Sequence, residues 1–292
     1  MKILMLGHSG VGKTTFMACM YASLQADTGG FPVTTDSSTH ERLMRMAKNV
    51  SKGIYPAPTA QMSGYDLALL HEGDEVVDFE WIDYRGGALN ESGSHAEMAE
   101  LKDVLESADG IIAFLDGPTL AAGGRAAREI VGRIMVLVQH AIAEDDRIIP
   151  IALVITKADL ISSLKEVYKP LYPLGEAIAA SRTVHGALIL TACGRGVAEN
   201  IEKPTLFVLH KGLLGALFRM REAFEAKNAR AAQYESKAGF WDWIDSRLSG
   251  VPTYGDMAQS AYREANDMID RYNSLVDPVN ALSETLADIE TF

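Results

Sequence analysis

Residues 7 to 14 read Gly7-His8-Ser9-Gly10-Val11-Gly12-Lys13-Thr14, a complete GxxxxGK[ST] pattern. Glycines let a backbone curl until several N–H groups point at one anion, and the N-terminus of a following helix adds its positive dipole end. In that setting Ser9, Gly10, Val11 and Gly12 would cradle phosphates, and Thr15 would extend the same N-terminal turn. Lys13 would reach the β- and γ-phosphates, and the Thr14 hydroxyl would ligate Mg²⁺. A glycine-rich turn before an ordinary helix is the plain alternative. Such a turn has no need of Lys-Thr straight after its last glycine.

This loop alone promises only a nucleoside phosphate, and three further segments narrow it. The run Phe79-Glu80-Trp81-Ile82 ends in Asp83-Tyr84-Arg85-Gly86, a DxxG arrangement. An acid at the end of a strand can hold Mg²⁺ through water, and the Gly86 N–H can approach a γ-phosphate. Taken alone, this Asp and Gly would read as a strand-to-turn junction. The run Ile151–Ile155 ends in Thr156-Lys157-Ala158-Asp159. A carboxylate at Asp159 can accept side-by-side hydrogen bonds from the N1–H and N2–H of guanine. Adenine lacks that donor pair and would leave the carboxylate unpaired. Lys157 would lay its stem along base and ribose. An N-cap at Asp159 fits the local spacing but not the order of motifs. Finally, Ala187–Leu190 runs into Thr191-Ala192-Cys193-Gly194, where the Ala192–Cys193 turn could touch the guanine O6.

These segments need a scaffold that ends strands at one edge. Strand-like runs recur at Lys2–Leu6, Gly64–Leu70, Val76–Ile82, Gly110–Leu115, Ile148–Ile155 and Ala187–Thr191. Helical patterns occupy Phe16–Gln25, His95–Ser107, Arg125–Ala143 and Leu171–Arg182. Strands alternating with helices predict a three-layer α/β fold with a mostly parallel sheet. Gly64–Leu70 and Val76–Ile82, joined through Glu72-Gly73-Asp74-Glu75, read as a hairpin that supplies one antiparallel edge strand. Beyond about Thr205 only helical spacing remains, at Leu213, Leu217, Met220 and Phe224 and again at Met257, Ala261, Ala265, Met268, Tyr272 and Leu275. Gly239–Gly255 reads as a break between helices, with Trp241 and Trp243 as either interface or satellite-core residues. The expected division is a nucleotide-binding domain over residues 1–210 and a helical extension over 211–292.

The bulk numbers set limits. A hydrophobic content of 48% over 292 residues supports a substantial core. A net charge of −12 argues against broad phosphate-backbone contact, so no nucleic-acid partner is expected. Cys19 and Cys193 are too few for a disulfide framework or a Cys-rich zinc site and read as reduced thiols. No apolar run is long enough to span a bilayer and no leader is apparent. A cytoplasmic protein is expected.

P-loop, DxxG, TKxD and small-residue turn, each at a strand end and in this order, resemble the Ras-like GTPases of the translation-factor-related (TRAFAC) P-loop class over residues 1 to about 210. Tyr55-Pro56-Ala57-Pro58-Thr59 and Asp83-Tyr84-Arg85-Gly86-Gly87 further resemble the bacterial double-GTPase type. The resemblance implies a Ras-like G domain binding GTP or GDP with Mg²⁺. It assigns Lys13 to the phosphates, Thr14 and Asp83 to Mg²⁺, Gly86 to the γ-phosphate, and Thr156, Lys157 and Asp159 to guanine. It also implies a switch I threonine, for which Thr34, Thr35, Thr39 and Thr59 compete. Thr59 is favoured because it precedes the hairpin's first strand. Ser38–Lys52 then reads as an inserted helix.

The chain departs from the pattern at Gly87, where many relatives place a water-orienting Gln. Arg85 is a candidate for charge stabilisation, with a mobile surface arginine as the plainer reading. His8 could approach the nucleotide and Arg195 could flank the base, with a solvent-facing residue as the plainer reading of each. The expectation is a slow Mg²⁺-dependent GTPase acting as a molecular switch on a protein effector or regulator. A GTP-loaded interaction module without turnover and a P-loop ATPase or kinase are the alternatives. The oligomeric state has no signature in the sequence.

Overall fold

The computed structural model describes residues 1–27, 29–57, 63–83, 103–143, 148–237 and 254–291. Two compact units are present, one of Met1–Gly212 with Leu282–Phe292 and one of Leu213–Ala281.

The first unit is built on β1 (Lys2–Leu6), β2 (Val33–Thr34), β3 (Ser63–His71), β4 (Asp74–Asp83), β5 (Gly110–Asp116), β6 (Ile149–Thr156) and β7 (Val184–Leu190). They form one sheet in the order β2-β3-β4-β1-β5-β6-β7. Every pairing from β4 to β7 is parallel, and β2 and β3 are antiparallel. The central strands carry near-continuous apolar runs, as strands covered on both faces must. The hairpin expected between β3 and β4 is present. Glu72 and Gly73 both take positive φ, the geometry of a two-residue turn that matches strand twist. The sheet has one more strand than the sequence suggested: β2 pairs antiparallel with β3 and takes the edge position expected for β3. β2 is two residues long and too short to show a period.

The sheet's pleat sorts side chains to two faces. On one face, Leu4, Leu6, Ile111, Ala113, Leu115, Ile151 and Leu153 pack with Val131, Ile134 and Val138 of α4 (Gly124–Ala143). Val167 of α5 (Leu164–Tyr168) and Leu174 and Ile178 of α6 (Tyr172–Ala179) join the same cluster. On the other face, Phe16 of α1 (Lys13–Gln25) meets the edge of Phe114 at 5.0 Å and lies 6.2 Å from Trp81. α7 (Lys203–Lys237) begins on this face too: a Cβ at Gly110 would run into the Val208 side chain. Helices on both faces of a mixed, mostly parallel sheet make the expected three layers.

The inserted helix is α2 (Ser37–Ser51), with Asp36 as its N-cap accepting from the Ser38 and Thr39 amides. It buries Leu43 and Val50 and presents a polar outer face. The six-residue α3 (Gly117–Ala122) follows β5 directly. The predicted helix over Leu171–Arg182 is shorter, ending at Ala179 after a 3₁₀ turn over Lys169–Leu171. Of the predicted His95–Ser107 helix, residues 103–107 are helical and the rest lie outside the described residues. After α8 (Tyr254–Thr285), the C-terminal tail returns to the sheet. The Leu188 amide donates to the Glu290 carbonyl at 3.3 Å, and Ala187 bridges Thr291 antiparallel.

The second unit is helical throughout its described residues, from the later part of α7 and most of α8. Leu213, Leu217, Ala231, Ala258, Ala265, Leu275 and Val279 are buried hydrophobic residues within its described part, and Lys227 pairs with Glu264. Trp241 and Trp243 lie outside the described residues. Among the described residues no helix is long and apolar enough to cross a membrane.

Candidate functional site

The site lies where the sheet's connections diverge. β1 leads into α1 on one face, while its parallel neighbour β5 leads into α3 and α4 on the other. Connections leaving adjacent strands in opposite directions open a crevice at the strands' C-terminal ends, the usual ligand position in such sheets.

Residues Gly7–Gly12 fill the start of that crevice. Gly10 and Gly12 take φ of +79° and +105°, where a side chain would be strained. Gly12 is the N-cap of α1, no side chain caps it, and the first turn holds no acid. An N-terminus with neither cap nor carboxylate is fitted to an external anion. Lys13 is 6% exposed, and its ammonium donates to the Gly7 carbonyl at 2.9 Å. Burial pushes the ammonium's pKa below its ordinary value, and the Asp83 carboxylate opposes the shift. A phosphate would act in the same sense as Asp83.

At the end of β4, Asp83 is 1% exposed. The Thr14 hydroxyl donates to Asp83 Oδ2 at 3.2 Å. A hydroxyl and a carboxylate brought together beside an anion site form a hard-oxygen donor set, which suits Mg²⁺. Two of the three residues predicted as metal ligands, Thr14 and Asp83, therefore meet; the third is Thr59. Tyr84, Arg85, Gly86, Gly87 and the favoured switch I residue Thr59 lie outside the described residues. The other threonines in that competition are engaged elsewhere. Thr34 is in β2, the Thr35 hydroxyl donates to the Asp66 carbonyl at 2.6 Å, and Thr39 sits in the first turn of α2.

The TKxD segment closes the far end. Lys157 takes φ +57°, which turns the chain from β6 into the 3₁₀ turn Ala158–Leu160. The Ala158 amide donates to the Thr191 carbonyl at 3.0 Å, and the Thr191 amide to the Ile155 carbonyl at 2.8 Å, tying this turn to the end of β7. Beyond it, β8 (Ala192–Gly194) and β9 (Val197–Glu199) form a small hairpin. Asn200 fastens it by donating to the Leu190 carbonyl at 3.1 Å.

One cleft of about 550 Å³ runs from the P-loop to the TKxD segment and the β8–β9 hairpin, a volume typical of small-molecule sites; Asp83 is not among its lining residues. Ser9, Gly10, Val11, Gly12, Lys13, Thr14 and Thr15 line one end of it, and Thr156, Lys157, Asp159 and Cys193 the other. Ala192 does not line it. It is fully buried, because strand alternation points residues 192 and 193 to opposite sides. His8 is not among the lining residues either, and its Nδ1 is 2.8 Å from the Ser9 carbonyl.

One lining feature and one support were not foreseen, whereas Arg195 was a candidate to flank the base. Tyr55 and Pro56 cover part of the cleft, with Tyr55 57% exposed and its hydroxyl 3.0 Å from where a Cβ at Gly194 would stand. Gly194, Arg195 and Val197 bring the β8–β9 hairpin to the rim. The support is Asp116, at the end of β5. It caps α3 through the Thr119 amide (3.1 Å) and hydroxyl (2.6 Å), and its Oδ1 lies 2.5 Å from Lys157 Nζ. Burial alone would raise the Asp116 carboxyl, but Lys157 and Thr119 outweigh it and hold its pKa below the ordinary value. The ion pair pins the Lys157 head and leaves its stem on the cleft wall. The sequence did carry a signal for the cap, an Asp ending a strand with Pro118 and Thr119 following.

A protein-family model described as Double-GTPase 2 matches residues 3–185. No curated protein matches the chain. Among solved structures, a bacterial selenocysteine-specific elongation factor EF-Sec is similar at 14% identity and TM-score 0.42, covering 72% of this chain and 28% of its own. The signal recognition particle receptor SRb-GTP/SRX complex from Chaetomium thermophilum is similar at 13% identity and TM-score 0.41, covering 65% and 90%. Era in complex with MgGDPNP and nucleotides 1506–1542 of 16S ribosomal RNA is similar at 18% identity and TM-score 0.39, covering 69% and 53%. The chain thus spans under a third of the elongation factor and about half of Era. The expectation that no nucleic acid is involved is corrected here: the Era structure holds ribosomal RNA. A whole-chain charge of −12 does not exclude such a partner, because backbone contact depends on local Lys and Arg patches.

Proposed function

The chain belongs to the Double-GTPase 2 family, P-loop GTPases of the TRAFAC class, and on that premise we propose that it is a Mg²⁺-dependent molecular switch that hydrolyses GTP slowly. The observation that carries this reading is the single cleft lined at one end by the P-loop and at the other by Thr156, Lys157 and Asp159. In this reading the α1 N-terminus and Lys13 hold the phosphates, while Thr14 and Asp83 hold the metal. Asp159 accepts from the guanine edge, and the Lys157 stem lies along the base. Bound Mg²⁺ neutralises phosphate charge and orients the terminal phosphoryl group. Thr59 and the Asp83–Gly86 segment would respond to the γ-phosphate, and a protein effector or regulator would read the two states. Residues 1–210 would carry this chemistry in the cytoplasm, beside the helical extension over 211–292.

Gly87 favours a second reading, since it offers no side chain to orient an attacking water: a GTP-loaded module without turnover. Single-turnover hydrolysis by purified protein decides between them. We expect phosphate release above the no-protein rate that is lost in Lys13→Ala. Release equal to buffer would leave only the non-hydrolysing module.

A further inference from the structure

Among its described residues the second unit consists of the later part of α7 and most of α8, and the two run antiparallel. Lys227 pairs with Glu264, while Met220 and Phe224, earlier on α7, share one groove with Met268 and Tyr272, later on α8. The apolar residues of α8 cover more than one neighbour needs. At about 100° per residue, Leu275, Met268, Tyr272, Ala265, Val276 and Ile269 fan over about 120° of the helix, wider than a two-helix seam. Only part of that arc is sealed. Ala265 and Leu275 are buried, whereas Met268, Ile269, Tyr272 and Val276 are half-buried. On α7, Met220 and Phe224 are half-buried as well, and Phe218 is 57% exposed. The pair thus leaves an apolar groove of about 280 Å³, with Arg221 and Glu225 on its α7 wall.

We propose that this groove is a dimer interface, filled by the same groove of a second copy of the chain to make a four-helix bundle. The charges on its wall select that occupant. Arg221 donates to Glu225 one turn away at 3.3 Å, and both side chains stay well exposed, at 68% and 64%. A rim that carries both signs one turn apart becomes complementary to itself after a two-fold rotation. Each Arg221 then faces the partner's Glu225, and α7 packs antiparallel on the partner's α7. A partner surface of a single charge would attract one of these residues and repel the other.

The register agrees with this symmetry. The axis crosses α7 between Arg221 and Glu225, and Ile269 lies in the same groove, level with that point on α8. Ile269 therefore meets the partner's Ile269 on the axis. Every neighbouring pair of helices is then antiparallel, as in bundles built from hairpins with short connections. The area also suffices. Residues 213–237 and 254–281 run about 40 Å as helices, and two side by side are roughly 20 Å across. Such a face matches the roughly 800 Å² per partner of a stable complex. Methionine and aromatic side chains, which dominate this groove, are those enriched where protein surfaces join. The interface lies within the second unit and is independent of the nucleotide reading.

Sedimentation equilibrium of the full-length protein at micromolar concentration tests it. Wild type should show twice the chain mass. Ile269→Arg sets two guanidinium groups against each other on the axis and should give a monomer. Arg221→Glu leaves only acids on the rim and Glu225→Arg only bases, so each variant alone should dimerise about tenfold more weakly or worse. An equimolar mixture of these two variants sets an acidic rim against a basic one and should recover the dimer mass. That recovery separates a lost interface from a folding defect, since two misfolded chains do not restore each other. A monomeric wild type overturns the proposal and leaves the groove to residues 238–253 of its own chain or to another protein. A dimer that survives Ile269→Arg and both charge variants overturns it too, because it uses another surface. Charge variants that stay monomeric when mixed overturn the two-fold pairing of Arg221 with the partner's Glu225.

Discussion

Thr14 and Asp83 belong to different motifs, and the Thr14 hydroxyl donates to the Asp83 carboxylate at 3.2 Å. α1 presents Thr14 one residue past Lys13, and the parallel pairing of β1 with β4 sets Met5 opposite Asp83. The register of two strands thus places both oxygens at the P-loop. If they share a metal, nucleotide affinity must depend on Mg²⁺ through them. Wild type should lose at least tenfold in GTP affinity on addition of EDTA. Asp83→Asn and Thr14→Ala should bind more weakly with Mg²⁺ and respond little to EDTA. An unchanged EDTA response in both variants would remove these residues from the metal site.

Lys13 tests the phosphate end. Its ammonium is buried with the Gly7 carbonyl as its hydrogen-bond acceptor. A charge-assisted bond to phosphate contributes roughly 1.5–3 kcal/mol. Lys13→Ala should therefore weaken GTP about tenfold to a hundredfold, measured by titration calorimetry on protein whose circular dichroism matches wild type. The loss should be smaller for GMP, which lacks the phosphates Lys13 reaches. Equal losses for GTP and GMP would show a general collapse of the cleft rather than a phosphate contact.

Asp159 tests the base. A carboxylate accepts from the guanine N1–H and N2–H, whereas an amide offers one acceptor and one donor. Xanthine has a carbonyl where guanine has its amino group, so Asp159→Asn should exchange preference between the two bases. We expect GTP to weaken by at least a hundredfold and XTP to tighten, in competition against a fluorescent nucleotide. A variant that still prefers GTP over XTP would show that Asp159 does not read the base edge.

What the sequence revealed follows from how local each signal is. Gly7–Thr14 and Thr156–Asp159 are contiguous, so their chemistry could be read from spacing, and alternation and helical period located the strands that aim them. β2 was missed because two residues show no period, and it forms only by pairing with β3. Ala192 was put in the site with Cys193 because small-residue turns look alike in sequence; strand geometry then buried Ala192 and turned the half-buried Cys193 to the cleft. Asp116 and Tyr55 were missed for a third reason. Asp116 gains its partner Lys157 only when β5 and β6 pair, and Tyr55 reaches Gly194 across the fold.

Tyr55 then carries its own prediction. Its ring is largely exposed at a cleft rim it shares with Lys157, Leu160 and Val197. An aromatic face over a base contributes about 1–3 kcal/mol. Tyr55→Ala should weaken GTP, GDP and GMP alike, by about tenfold, and Tyr55→Phe should retain most of the affinity. Loss confined to GTP would move the residue's action from the base to the phosphates.

His210, on α7, links the fold to pH. It is 6% exposed, and burial followed by the Lys211 charge lowers its pKa to about 4. The unfolded chain binds this proton near pH 6.5, so between about 6.5 and 4 the unfolded state holds more protons than the native one. Stability must therefore rise with pH across that window and fall as pH drops through it. At pH 5 the cost is roughly 2 kcal/mol, from 1.5 pH units at about 1.36 kcal/mol each. His185, also held below its ordinary value by burial and Lys211, acts in the same direction. Urea midpoints at pH 7 and pH 5 for wild type and His210→Gln separate this contribution from the carboxylates both proteins share. Wild type should lose more stability than the variant on acidification. Equal losses would mean that native His210 takes up its proton as readily as the unfolded chain.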